Sequence, residues 1–466
     1  MIDTAQDRRP ESRISGWVRP LRSSLDRFRA SHLGRRVAHG AAWSLVGAVV
    51  SRGMAFVATL VVARSLGVID FGKLGLVQTT VNAFATVSGF GLGLTATRFI
   101  SGRARTEPDR AAAMGGVATI LAFITGCLFA GVVALSATVV AAQVLDAPQL
   151  GADLRTASLL LVFQGVVGVQ LATLMAFEEF RGNAILNSFL GVVSLPILLA
   201  GARIGGLNGV IWALVANSLL SAVGGALLVR RVARARGIHW KLRIQTREVL
   251  QLWRMSVPAA LAGSIPLPTT WACNAIIARA PDGFYQVGLY NAAGQWRSLV
   301  MFVPAAIGAI VLPVLTKLRD GGEYHSYRKV LRYNLALNAA VAVALAAPGI
   351  ALASPLMSAY GEAFRTGSGV LSVLALVGVV TAVTNVLSQA VASDGSLWWA
   401  AAFNALWAIV SLASTYAMRT SGAMGFAIAQ FLAILTQMVA MWIFERARHR
   451  TDVSIASAAA SRGPGQ

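Results

Sequence analysis

Twelve apolar stretches, each long enough to cross a bilayer, run through the chain at 41–63, 74–97, 113–142, 157–177, 184–203, 207–229, 252–278, 287–313, 331–354, 366–391, 397–418 and 423–444. A hydrocarbon core about 30 Å thick takes roughly 20 helical residues. It also offers no water to any backbone that is neither helical nor closed into a barrel. The runs lack the period-two alternation of barrel strands. They predict an all-α polytopic membrane protein of about 12 transmembrane helices in two six-helix bundles. A chain that is 56% hydrophobic and 13% charged, with a mean hydropathy of +0.65, excludes an ordinary soluble domain.

The net charge of +21 raises nucleic acid as a partner, but topology explains it better. Most of the 40 Lys and Arg residues fall in segments that the twelve spans place on one side. The other side carries only Arg64, Lys73, Arg155, Arg203, Arg279, Arg365 and Arg419. Basic loops stay in the cytoplasm, so both termini are expected there and no nucleic acid is implied. The divisions that follow are a basic cytoplasmic tail at 1–40, a first bundle at 41–229, a basic linker at 230–251, a second bundle at 252–444 and a disordered tail at 445–466. Within the first tail, Ile14, Trp17, Val18, Leu21, Leu25 and Phe28 recur at helical spacing among arginines, the pattern of a segment lying on anionic membrane lipids. Trp43, Trp212, Trp398, Trp399 and Trp442 fall near span ends, where interfacial anchors sit.

No Asp or Glu lies near the middle of any span, yet Arg52 is central to the first and Arg297 lies inside the eighth. A charge at the bilayer centre costs roughly 2.5 to 3.5 kcal/mol on insertion scales, so such residues are functional candidates. Two unopposed arginines point to an anionic ligand, and the planar guanidinium fork suits phosphate oxygens. Arg98, near the inner end of span two, is placed to meet an incoming headgroup. Gln78, Asn82, Asn274, Asn291 and Gln295 offer polar contacts to a sugar; the competing reading of each is a hydrogen bond between helices. Pro266 and Pro268 mark a candidate hinge in span seven, since proline inside a helix removes a backbone bond and bends it. Cys127 and Cys273 form no CxxC pattern, all five His lie in predicted cytoplasmic regions, and neither a catalytic constellation nor a metal or cofactor motif is present in the sequence.

The two halves share a short repeat. A-R-S-L-G-V-I-D-F-G-K-L-G-L at Ala63–Leu76 and A-R-A-P-D-G-F-Y-Q-V-G-L-Y at Ala278–Tyr290 both place A-R at a helix exit and a glycine before the next apolar helix. Six crossings separate them, so the repeat is parallel, about an axis along the membrane normal.

These residues resemble a known family. The A-R-x-L-G-x-x-x-F-G pattern at Ala63–Gly72, the stretch G-F-G-L-G-L-T-A-T-R-F-I-S at Gly89–Ser101, and Val287–Ala293 with Leu312-Pro313 look like polysaccharide exporters of the O-antigen flippase type in the multidrug/oligosaccharidyl-lipid/polysaccharide (MOP) superfamily. The resemblance implies a MATE-like pair of bundles around a central cavity and alternating access. It also implies transport of a polyprenyl-pyrophosphate oligosaccharide across the inner membrane for surface polysaccharide biosynthesis, with a polysaccharide polymerase or glycosyltransferase as partner. Where relatives often carry an acid, near Gly89 or at the end of span seven, this chain has Gly89 and Asn274. The alternatives are a cation exporter of the multidrug branch, which would favour buried carboxylates, and a peptidoglycan lipid-precursor flippase. No enzyme activity is expected.

Overall fold

The computed structural model describes residues 32–88, 100, 106–237, 264–393 and 397–461, and all of the regular structure among them is helical. The continuous helix His32–Ser88 breaks at Gly67, where φ is 77°, giving α1 (32–66) and α2 (68–88). The continuous helix Phe180–Ala235 breaks the same way at Gly206, φ 53°, giving α5 (180–205) and α6 (207–235). Both positions need a left-handed backbone, which glycine adopts without steric penalty. Between these pairs run α3 (Pro108–Val139) and α4 (Gly151–Ala176). The second half comprises α7 (Pro266–Ala278), α8 (Gly283–Asp320), α9 (Tyr324–Ala351), α10 (Ser368–Ala392), α11 (Leu397–Ala417) and α12 (Gly422–Ser461). Among the described residues nine helices are long and apolar enough to cross a membrane, two of them holding the glycine breaks. That layout is consistent with twelve crossings.

The first six helices pack mainly on one another, and so do the last six. No hydrophobic driving force separates a helix from lipid tails, so contact depends on close approach at small residues. Added methyl groups at Gly47, Gly126 and Gly201 would collide with Ala184, Val162 and the Gly209 carbonyl respectively. Large apolar side chains face outward, Ile204 at 88% and Leu135 at 85% exposure among them, as lipid contact requires. Trp212, Trp398 and Trp399 are exposed near helix starts, and Trp442 is exposed midway along α12.

Two expected boundaries move. The helix expected to end at 229 continues as α6 to Ala235. The last helix, expected to give way to a disordered tail at 445, runs on as α12 to Ser461, through the Ala-rich S-I-A-S-A-A-A-S, whose intrinsic helix propensity is high. Of the span expected at 252–278, residues 252–263 lie outside the described residues, and α7 covers Pro266–Ala278. The expected interfacial segment in the first tail, most of the linker and Arg98 lie outside the described residues.

A cationic cleft between the two halves as candidate site

The repeat motifs build the contact between the halves. Ala63-Arg64 and Ala278-Arg279 each close a helix, the chain reverses through positive-φ Gly67 and Asp282, and α2 and α8 leave side by side. A Cβ at Gly72 would collide with the Phe284 carbonyl oxygen, one at Gly288 with the Val68 carbonyl, and one at Gly75 with the Asn291 amide. The glycines therefore set how closely the halves meet. Trp271 Nε1 donates to Thr80 Oγ1 across the same interface at 3.0 Å, and Arg279 donates to the Gln143 carbonyl at 3.0 Å. The connection between α9 and α10 seals this end: Tyr360 and Phe364 are buried, with Tyr360 against Phe56 and Phe364 against Phe71.

Away from the turns the halves part. On the α2 stripe, Val68, Gly72 and Gly75 are buried but Asn82 is exposed. On the α8 stripe, Gly288 is buried while Asn291, Gln295 and Phe302 are partly exposed. On α1, Phe56 is partly covered by Trp296, whose ring meets it edge-on at 4.8 Å, whereas Arg52, one turn further on, is exposed. Burial is thus tight at the turn end and falls along α1, α2 and α8 away from it, and this seam between the halves is the candidate cleft.

Arg52 stands on the cleft wall. Its guanidinium lies over the Phe302 ring of α8, 4.9 Å from the centroid, and it forms no ion pair with a carboxylate among the described residues. The ring covers one face of the guanidinium, and its N–H edge remains suited to a phosphate. Gln295, two turns before Phe302, is on the same face of α8, and Asn82 of α2 is exposed. Polar atoms of the apex, Trp296 Nε1, the Tyr360 hydroxyl and Asn291 Nδ2, are buried without a hydrogen-bond partner.

This architecture matches known proteins. The sequence profile of the polysaccharide biosynthesis protein family matches residues 37–319, more than half of the chain. The chain belongs to that family. It is similar to the EPS I polysaccharide export inner membrane protein EpsE of Ralstonia nicotianae, 26% identical over 383 residues, covering 80% of this chain and 84% of the relative. The succinoglycan biosynthesis transport protein ExoT of Rhizobium meliloti is 26% identical over 396 residues, covering 82% and 73%. Among solved structures, an inward-facing multidrug resistance MATE family transporter of the MOP superfamily superposes with a TM-score of 0.73 at 13% identity, over 88% of this chain and 99% of that one. A MOP superfamily transporter from Pyrococcus furiosus, described by the reverse polarity of its binding pocket, gives 0.66 at 14% identity, over 92% and 98%. The motif resemblance and the expected fold class therefore hold: this family member has the MOP superfamily fold.

The structure separates residues that the sequence grouped. Arg297 is five residues before Phe302, about 140° around a helix of 3.6 residues per turn. Its stem passes Gly378 of α10, and its charge lies near the buried Tyr290 inside the second half. Tyr290 in turn stacks on Phe426 at 3.9 Å. Arg52 and Arg297 are thus not brought together. Asn274 is 1% exposed, donates to the Thr270 carbonyl of its own helix at 2.8 Å and sits in the packing of α7. Asn291 packs on Gly75, and Gln78 is half-buried. Pro266 is the first residue of α7, where its missing N–H costs nothing, and Pro268 follows in the first turn. Phe302, Trp296 and Tyr360 were missed, because an aromatic in an apolar span carries no sign of which neighbour it meets. Phe302 had one available signal: like Gln295, it continues the spacing of Gly288 along α8.

Proposed function

We propose that this protein translocates a lipid-linked polyprenyl-pyrophosphate oligosaccharide across the inner membrane, by alternating access through the cleft between its halves. The single observation that carries the reading is Arg52, a mid-span guanidinium exposed on the cleft wall with no carboxylate partner among the described residues. A pyrophosphate is the part of such a substrate most costly to bring into a membrane, and a fixed guanidinium offsets that cost. Asn82 and Gln295 on the same walls offer hydrogen bonds to the glycan. Arg297, with Tyr290, supplies a second positive centre inside the second half. The polysaccharide export relatives and the family membership support the substrate class. In this reading the basic end faces the cytoplasm, both termini lie there, and the cleft receives substrate from the inner leaflet.

The test is a deletion strain in which lipid-linked oligosaccharide is labelled by a membrane-impermeant oxidant acting on glycans at the outer surface of spheroplasts. The deletion should lower outer-surface labelling while total lipid-linked oligosaccharide rises, and the wild-type chain should restore both. Unchanged outer labelling in the deletion strain contradicts the proposal.

A further inference from the structure

The second half carries another cluster of arginines, on helices other than those that hold Arg52 and Phe302. Between α9 and α12 lies a cleft of roughly 160 Å³ with Arg328, Arg332 and Arg446 on its rim and Leu331 and Leu387 beneath them. The three arginines come from two helices, and none forms an ion pair with a carboxylate among the described residues. One acid, Glu445, lines the cleft, but its Oε1 accepts from the Tyr327 hydroxyl at 3.0 Å, and the Arg319 guanidinium donates to that hydroxyl at 3.2 Å. Glu445 is therefore engaged through Oε1 with Tyr327 rather than with the rim arginines. The Arg446 guanidinium is stacked over the Trp442 ring, 3.5 Å from its centroid, which holds its plane and leaves its N–H edge free of the ring.

Depth fixes what such a site meets. Arg328 and Arg332 are in the first turns of α9, and Arg446 follows Trp442 at the end of the apolar part of α12, so the rim is at headgroup level. Beside it Leu337 and Ile443 are exposed at 51% and 55%, an apolar exterior that continues away from the arginines. Guanidinia above, leucines below and an apolar wall alongside match an amphiphile with a phosphate head and acyl chains. Basic pockets between helices at a membrane surface bind anionic headgroups in this way.

We infer that the α9–α12 cleft binds the phosphodiester of an anionic glycerophospholipid in the leaflet at the basic end. The full-length protein, purified in detergent, is titrated by native mass spectrometry with phosphatidylglycerol, with phosphatidylcholine of the same chains, and with phosphatidylglycerol in the presence of millimolar inorganic phosphate. Phosphatidylglycerol should bind at least tenfold more tightly than phosphatidylcholine, and inorganic phosphate should not displace it. The double variant Arg328→Gln/Arg332→Gln should weaken phosphatidylglycerol binding roughly 30-fold. Arg328→Lys/Arg332→Lys should keep most of the affinity, and Arg230→Gln, on the other half, should match wild type. Equal binding of the two lipids, or wild-type affinity in a Gln double variant of unchanged melting temperature, overturns the proposal. Displacement by inorganic phosphate makes it a free-anion site and overturns the lipid assignment. If the Gln variant does not fold, Arg446→Gln alone decides: wild-type affinity there is equally fatal.

Discussion

The guanidinium of Arg52 in α1 rests on the ring of Phe302 in α8, 4.9 Å from its centroid, so the one charged residue at the middle of the first helix is held by the opposite half of the molecule. A cation–π contact is worth about 0.5 to 2 kcal/mol. It fixes the side chain while leaving its hydrogen-bonding edge for an anion. Phe302→Leu removes the ring but no charge, and should change the affinity for an isoprenyl pyrophosphate by no more than about 30-fold, the upper end of that range. It should also leave the complementing activity measurable. A complete loss in a folded Phe302→Leu protein, seen by titration and by complementation, would show that the ring rather than the charge is decisive.

The contact of α2 with α8 should tolerate no side chain at Gly72. A Cβ there collides with the Phe284 carbonyl oxygen, backbone that cannot move aside cheaply. Gly72→Ala should insert into the membrane yet fail to complement a deletion, with a lowered melting temperature. A Cβ at Gly131 of α3 would meet nothing within 4 Å. Gly131→Ala should complement fully and stabilise slightly, by about 0.5 to 1 kcal/mol from helix propensity. Comparison of the two melting curves checks the pair.

Phe364, fully buried against Phe71, is part of the seal at the turn end. Val68, 5% exposed, is packed within the same region. In a chain with Cys127 and Cys273 replaced by Ser, Val68→Cys should label slowly with a membrane-impermeant maleimide. Adding Phe364→Ala should speed labelling several-fold, since removing a buried Phe costs about 3 to 5 kcal/mol in well-packed cores. Equal rates would mean that the α9–α10 connection does not seal this end.

Acid-to-amide changes should spare transport. Asp153 is 9% exposed and its carboxylate accepts from Asn208 Nδ2 at 3.1 Å, a contact within the first half and away from the cleft. Asp153→Asn and Glu445→Gln, assayed by restoration of surface polysaccharide, should each support it at wild-type expression. Loss of proton- or sodium-dependent transport in either folded variant would favour an ion-coupled cation exporter.

Hydropathy alone made the helical layout legible, because each span must satisfy its own backbone in lipid. The repeat around Arg64 and Arg279 also located the two reversals, at Gly67 and Asp282, that set α2 beside α8. What the sequence could not show is facing. Arg52 and Arg297 both read as buried cations, but a helix bundle apolar on all sides has no periodicity to say which face meets the cleft. Packing set Arg52 against Phe302 and the Arg297 stem against Gly378. Asn274 read as a ligand and is held in the α7 packing for the same reason.

The central claim, that Arg52 receives the anionic headgroup, is tested most directly by titrating a short-chain isoprenyl pyrophosphate into full-length wild-type, Arg52→Lys and Arg52→Ala protein of matched melting temperature. Removing a charged hydrogen-bond partner costs about 1.5 to 3 kcal/mol, so Arg52→Ala should bind roughly 10- to 150-fold more weakly. Arg52→Lys should fall between, keeping charge without the planar fork. An unchanged Kd in Arg52→Ala would contradict the account and leave Arg52 as a structural contact to Phe302.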